Sequence, residues 1–552
     1  MRAKSRSSAQ WWFLAHSWLA LPIWAFLFFV CLTGTIATVS QEIVWLARPE
    51  VRANAPSGDA RMLGYDEIIA VVTSEHPDAV VQRVSRPVKS MFAWSVLVEY
   101  PDASAVDHYV NPYTGHIQGS ELPGFSFRQF IRALHGWLLV PFNDRVSLGW
   151  YAVSLLSLPL LGSLVTGLVV YKRFWRGFLS PRLRLGHGAR VFWGDLHRLA
   201  GIWSIPFILI MAVTGLWFLT DQVLKHADID LPSTSPALPV ILDRDAVPLA
   251  PPGGQVARVG LDRAAQVMRE TFPEVEASFF SLGEHAFSPI RVMGQGAGWP
   301  LLTEAVWINP YSGSVEYARS VGNRSWLELV TQSMRPLHTG DFVGLGLKLV
   351  YFFFGLLLTA MVASGLLIWT KRTAKATAAV LPPAVGRIAA RWRRWRFHLS
   401  ALLLVLPMVW LPHYLSQNKP AARAGLGQRV AGQFDAGPWS VTLAEWRNEP
   451  PRPHDDEYEK VFMLALSQDS IAQVKAVYVR LGQPRGDVRT SGVLASGSPY
   501  RMRATVHMPA EVDPAAELWL TLEGWDGSKH RVAVPLAQAS PETARWAQAR
   551  RQ

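Results

Sequence analysis

Cysteine is almost absent from this chain of 552 residues: Cys31 stands alone, inside an apolar run. A disulfide framework, a cysteine-ligated zinc site, an iron–sulfur cluster and covalent c-type haem, which needs C-x-x-C-H, are therefore excluded. The signatures of hydrolysis are missing as well, with no HExxH, no P-loop and no nucleophile–base motif. No glycine-rich dinucleotide fingerprint is evident either, so any reducing equivalent must come from another protein or a membrane-soluble carrier. Acids are scarce wherever bases gather. Residues 1–12 hold three Lys/Arg, 172–195 six and 371–396 eight, against a single acid, Asp195, in all three segments.

Long apolar runs are what the sequence has in quantity. Half of its residues are hydrophobic and 24 are tryptophan. Five windows, 13–38, 147–171, 196–220, 346–370 and 397–415, are long enough to cross a bilayer core, which takes roughly 20 helical residues. The first follows Arg2, Lys4 and Arg6, but its apolar run exceeds the roughly 7–15 residues of a signal core and no clear A-x-A site follows. It reads as an uncleaved anchor. Short, almost purely basic loops belong on the cytoplasmic side of a membrane. The N-terminus, 172–195 and the linker 371–396 are thus placed inside, and 39–146, 221–345 and 416–552 outside. The formal charge of +12 reports topology, not nucleic-acid binding.

The chain is also duplicated. "HSWLALPIWAFLFFVCLTG" from His16 parallels "HRLAGIWSIPFILIMAVTG" from His197, each with 18 residues from His to Gly. "YVNPYTGHI" (109–117) parallels "WINPYSGSV" (307–315), then "RALHGW" with His135 parallels "RPLHTG" with His338. The following spans end in "TGLVVYKR" and "SGLLIWTKR". Both copies run in the same direction, which predicts two parallel repeats about an axis along the membrane normal. The two external inserts, 39–146 and 221–345, read as small α+β domains, with amphipathic helices at "GYDEIIAVVTSEHPDA" and "GLDRAAQVMRETFPEV". Residues 416–552 are short runs, most alternating in period two, between Gly, Pro and Asp turns, the pattern of a β-sandwich.

Four histidines occupy equivalent places. His16 and His197 open spans one and three on the cytoplasmic side; His135 and His338 precede spans two and four on the external side. Eighteen helical residues rise about 27 Å, so each Thr-Gly lies across the membrane from its own histidine. Thr33-Gly34 and Thr214-Gly215 are expected near the external pair, Thr166-Gly167 and Ser364-Gly365 near the cytoplasmic pair. A glycine there lets a flat, bulky ligand approach the backbone. Two imidazoles per face suit a b-type haem, whereas zinc or copper sites gather three or four ligands. A single interfacial histidine is ordinarily a polar tip reaching water; four related by a repeat read as two pairs of axial ligands. His187, His398 and His413 lie near the membrane but break the repeat.

These motifs, with "FWGDLHRLAGIW" after a basic loop, resemble the PepSY-associated transmembrane proteins, a family that includes siderophore–iron reductases of Gram-negative inner membranes. The resemblance covers about residues 10–375. It implies two haems b, with His16, His197, His135 and His338 as their axial iron ligands, and PepSY-type periplasmic domains. It further implies delivery of electrons from a cytoplasmic or membrane donor to a periplasmic ferric siderophore. The tail is an addition absent from the shortest members and suits work with partner proteins, as in iron release from ferripyoverdine. The expected architecture is an inner-membrane helical core of five spans, two periplasmic α+β domains and a C-terminal periplasmic β-sandwich. Its divisions are 1–38, 39–146, 147–220, 221–345, 346–370, 371–396, 397–415 and 416–552. The competing expectation is a membrane-anchored PepSY module that binds a partner without redox chemistry.

Overall fold

The computed structural model describes the chain apart from residues 1–7, 57–59, 123–125, 144, 172–173, 234–239, 251–253, 255, 297, 381–397, 419–424, 455–456, 485–491 and 552. The bases at 2–6, 172–173 and 387–396 used above to orient the chain lie outside the described residues.

Among the described residues, five helices long and apolar enough to cross a membrane run over Trp11–Thr38, Leu148–Val170, Ile205–His226, Leu345–Ile368 and His398–Gln417. Four agree with the sequence windows to within a few residues. The third begins later than expected. His197 does not sit on that span but on a separate helix, Ala189–Trp203, which ends where Ser204 caps it and Pro206 opens the next. Proline has no N–H to give, so the chain breaks and restarts there. Pro22 acts similarly in span one, where a 3-10 turn, Leu21–Ile23, separates Ser8–Ala20 from Trp24–Thr38.

Spans one to four pack as a ring, span one against two and four, and span three against two and four. The fifth lies outside this ring. It packs against span one, with Ser400 Oγ donating to the Pro22 carbonyl at 3.2 Å, and leaves Leu402, Met408 and Val409 exposed. An apolar surface of that kind on a helix of this length suits lipid contact.

The two inserts do not form two separate domains. Strands β1 (Val80–Ser85), β2 (Trp94–Glu99), β3 (Ala105–Val110) and β4 (Ile117–Glu121) come from the first, and β5 (Val275–Ser281), β6 (Ile290–Gly296), β7 (Thr303–Ile308) and β8 (Val315–Arg319) from the second. They join in one eight-stranded sheet of order β4-β3-β2-β1-β5-β6-β7-β8. The seam is an antiparallel β1–β5 pairing that sets Val84 opposite Phe280. Both inserts then share one apolar core, in which Ile68, Val84 and Val96 meet Met268, Phe280 and Val292. A half-buried sheet with one helix cannot cover its face alone; joining edges removes two exposed strands at once. The Asn-Pro turns close the β3–β4 and β7–β8 hairpins, with Asn111 Oδ1 accepting from Tyr113 N and Asn309 Oδ1 from Tyr311 N. Gly115 and Gly313, at φ +72° and +75°, complete them.

Helices Tyr65–Glu75 and Leu261–Thr271 cap each other. Their N-cap residues are Gly64 and Gly260, which have no side chain to offer. Asp262 accepts from Tyr65 N (2.8 Å) and Asp66 N (3.2 Å), while Asp66 accepts from Leu261 N (2.6 Å) and Asp262 N (3.3 Å). Each carboxylate thus meets the first free N–H groups of the opposite helix. Asp66→Ala should cost about 1–2 kcal/mol, and the loss should appear on the other helix. Hydrogen exchange is expected to quicken at Leu261–Thr271 in Asp66→Ala and at Tyr65–Glu75 in Asp262→Ala. Quickening confined to the mutated helix would refute the exchange of caps.

The tail is a two-layer β-sandwich of a six-stranded and a four-stranded sheet around one core, with Val441, Phe462 and Leu520 fully buried. It is docked, not suspended. Ala476 and Tyr478 pack with Leu242, Ala286 and Phe287 of the second insert, and Tyr500 donates to the Asp78 carbonyl of the first at 2.6 Å. The sandwich therefore lies at the same end of the bundle as the eight-stranded sheet, here called the sheet end.

Candidate functional site

Four helices carry the histidines, and each lies on a different span. Ser8–Ala20 packs on span two, Phe127–Trp137 on span one, Ala189–Trp203 on span four and Trp326–Thr339 on span three. That arrangement brings His16 to His197, with ring centres 6.4 Å apart and planes at 81°. It brings His135 to His338 at 6.3 Å and 30°, at the sheet end.

Each imidazole is held by the span beneath it, through Nδ1. His16 Nδ1 meets the Ser163 carbonyl (3.1 Å) and Thr166 Oγ1 (3.0 Å). His197 Nδ1 meets the Met361 carbonyl (3.0 Å) and Ser364 Oγ (3.1 Å), and His135 Nδ1 meets the Val30 carbonyl (3.1 Å). A carbonyl only accepts, so Nδ1 donates in all three and Nε2 keeps its lone pair. His338 has no such carbonyl. Its Nδ1 lies 2.8 Å from Thr214 Oγ1, whose own proton goes to Ile210 O at 2.6 Å, so this ring donates as well. No hydrogen bond occupies Nε2 of any of the four among the described residues. This is the outer-shell pattern that fixes tautomer and ring angle in metal-binding histidines.

The Thr-Gly pairs thus have a sharper task than leaving room for a flat ligand. The hydroxyls of Thr166, Ser364 and Thr214 meet Nδ1 of the histidine from the other helix, while Thr33 stands 3.5 Å from that of His135, and at Gly34, Gly167 and Gly365 the glycine makes way for the ring. A Cβ on Gly34 would stand 2.6 Å from His135 Cε1; on Gly167 and Gly365 it would stand 3.4 Å from the rings of His16 and His197. Gly215 differs, facing Ser157. Gly34→Ala is therefore expected to push His135 off its partner and lower ligand affinity by roughly the 10–100-fold seen when an outer-shell partner is lost. Gly167→Ala should be nearly neutral, and ligand titration of the two purified variants compares them. Equal effects would mean that contact with the ring is not what Gly34 is for.

A cavity of about 590 Å³ opens over the His135–His338 pair. Leu27, Val30, Phe207 and Leu358 wall it on the membrane side, and Arg128, Arg132, Arg319, Arg324 and Arg335 line it toward the sheet. This volume is typical of a site for a cofactor-sized ligand. Phe218 stands edge-on to His338, with ring centres 5.1 Å apart, and also edge-on to Trp150, which stacks on Trp137. The sequence signal for these arginines is short: "RALH" and "RPLH" place one of them three residues before each histidine, and nothing in the spacing of the others marks them. His187, His398 and His413 join neither pair; His413 is exposed beside Trp410.

Near His197, the lone acid of the basic loops has a structural part. Asp195 is buried and takes both Nε and Nη2 of Arg184 at 2.9 Å, with Arg198 on the same carboxylate. The Arg184 guanidinium holds its carboxyl well below the usual carboxylate range, so it stays charged and pins the loop to the helix.

Two imidazoles on opposite sides of one metal, at about 2.0–2.1 Å per nitrogen and about 1.1 Å from nitrogen to ring centre, put their ring centres about 6.3 Å apart. Both pairs match that spacing. No group of three or more His, Cys, Asp or Glu able to hold a metal occurs among the described residues, so each pair could supply two protein ligands and no more. An iron already held by four porphyrin nitrogens needs two; a bare zinc or copper ion ordinarily draws three or four from protein.

A family model described as the PepSY-associated TM region matches residues 13–372, and one for an uncharacterised conserved protein matches residues 391–537. An uncharacterized protein of Pseudomonas aeruginosa is 30% identical over 258 residues, which cover 44% of this chain and 63% of that relative. The chain thus spans less than two thirds of the relative's length. The first match takes in four of the five spans, both inserts and all four histidines. On that match, the chain belongs to the PepSY-associated TM region family.

Proposed function

We propose that this membrane protein is a di-haem electron conduit that reduces a ferric siderophore at the sheet end, taken as the periplasmic side of a bacterial inner membrane. The observation that carries the reading is the pair of imidazole pairs, spaced 6.3 and 6.4 Å, each ring donating through Nδ1 and leaving Nε2 bare. His135 and His338 would hold one haem b, His16 and His197 the other. When bound, the haems supply one-electron storage and transfer between the two faces.

The chain's own residues do the rest. Thr214, Val30, Met361 and Ser163 orient the rings, so that no energy is spent reorganising them. Leu27, Val30, Phe207 and Leu358 give the outer site apolar walls on the membrane side. The reaction asks for no general acid or base: one electron, from a cytoplasmic or membrane-soluble donor, converts Fe(III) to Fe(II). Oxygen-rich chelates hold the softer Fe(II) far more weakly, so reduction is itself release. The docked sandwich, beside the sheet and away from the cavity, is the surface offered to partner proteins.

The test is the spectrum of the purified protein. Two haems b per chain, both low-spin and both reducible, with loss of iron from an added ferric siderophore, are the expected result. A colourless protein would overturn the conduit and leave a membrane-anchored binding module.

A further inference from the structure

The outer pair has a feature that the inner pair lacks. On helix Phe127–Trp137, Arg132 lies three residues before His135; on helix Trp326–Thr339, Arg335 lies three residues before His338. Residues three apart on a helix share a face, and all four line the one cavity. At the inner pair the corresponding residues are Phe13 and Gly194.

These guanidiniums are not explained by neighbours. Among the described residues Arg132 and Arg335 have no carboxylate within ion-pair reach, whereas Arg128 already faces Asp341 at 3.8 Å and Lys348 pairs with Asp341 and Glu42. Arg319 and Arg324 share the neutral Gln332, and the Nε of each is buried without a partner. Burial first, then the charges of Arg128 and Arg335, press the pKa of Arg132 below the usual arginine value. A cluster of like charges at the mouth of an apolar cavity is unfavourable until anions enter it.

We propose that Arg132 and Arg335 are carboxylate anchors for the outer haem, one for each of its two propionates. The inference rests on the di-haem reading. Each histidine helix then presents a ligand for the iron and, one turn earlier, a fork for the porphyrin edge, so that a single helix pose sets both contacts. Guanidinium suits this task because its planar donors meet a carboxylate bidentately. Arg319 and Arg324, on the sheet, remain to add positive charge above the same edge. The surplus favours the reduced form of the outer centre, which carries one positive charge fewer. The inner histidine helices carry Phe13 and Gly194 at the equivalent positions, so this fork belongs to the outer site.

The test compares haem b with its dimethyl ester, which keeps iron and ring but has no carboxylate. Full-length protein made without haem is loaded with either, and transfer of the outer group to apomyoglobin is timed. The inner haem serves as the internal control for fold. Charge-assisted hydrogen bonds are strong enough that Arg132→Gln with Arg335→Gln should speed loss of haem b by roughly 10–100-fold. The ester should leave wild type and variant at the same rate. Arg→Lys at both positions should restore part of the retention, and the outer midpoint potential should fall in the Gln variant. Equal loss of haem b from wild type and variant would overturn the anchors while leaving two haems in place. So would an unchanged haem with a raised KM for an anionic ferric chelate, which would assign the arginines to substrate. Wild type that takes up no haem would instead overturn the di-haem reading, and the anchors with it.

Discussion

His338→Ala is expected to take the protein from two haems to one, and His135→Ala to remove that same one. The two rings share a cavity and stand 6.3 Å apart, although 203 residues separate them in sequence. On the di-haem reading, deleting either would leave the iron one protein ligand in place of two. His338 is the more demanding position. Its Nδ1 rests on Thr214 alone among the described residues, and Phe218 closes on its edge, so alanine there removes the ligand and uncovers an apolar wall. The inner pair is held by different carbonyls, those of Ser163 and Met361, and should keep its spectrum. Pyridine haemochrome counts the haems, and low-temperature spectra identify which one remains. Both haems persisting at full occupancy in both variants would break the pairing. A five-coordinate, high-spin outer haem in place of complete loss would still agree with it.

The second large effect concerns direction. In right-side-out vesicles holding an internal reductant, His16→Ala should stop release of iron from an externally added ferric siderophore. The loss should exceed the 10–100-fold that follows removal of a mere outer-shell partner, because an axial ligand is gone. An outer site reduced chemically from outside should still react in that variant, since His135 and His338 are intact. A large, polar chelate does not cross the bilayer, so it meets the outer site only. Internal-donor turnover that survives His16→Ala would remove the inner pair from the path and defeat the conduit.

The tail stands outside the outer cavity, since no described residue after Leu358 lines it. The fifth span nevertheless touches the core, at Pro22 through Ser400 and at Phe130, on the helix that carries His135, through Tyr414. The C-terminal sandwich touches the two inserts through Phe287, Tyr478 and Tyr500, which makes it a fixed part of the sheet end.

Much of this protein is legible in one dimension because the membrane imposes local rules. A span must be long and apolar, basic loops set its direction, and a duplication repeats its landmarks, so five spans, four histidines and the Thr-Gly pairs could be read from runs and spacings. Even there, Pro206 shifted the third span away from His197, because a hydropathy window does not register a missing N–H. What the chain does with those landmarks is a matter of packing between elements 100–200 residues apart. The proton acceptor of His135 lies on span one and that of His338 on span three, and no periodicity of either helix says so. The two inserts each look complete as α+β units, yet β1 pairs with β5 and Asp66 caps the helix that Leu261 begins. Such partners are chosen by helix rotation, strand register and the burial of apolar faces against one another. Sequence determines which surfaces need covering; only the tertiary structure decides what covers them, and here that choice brings four histidines together as two pairs.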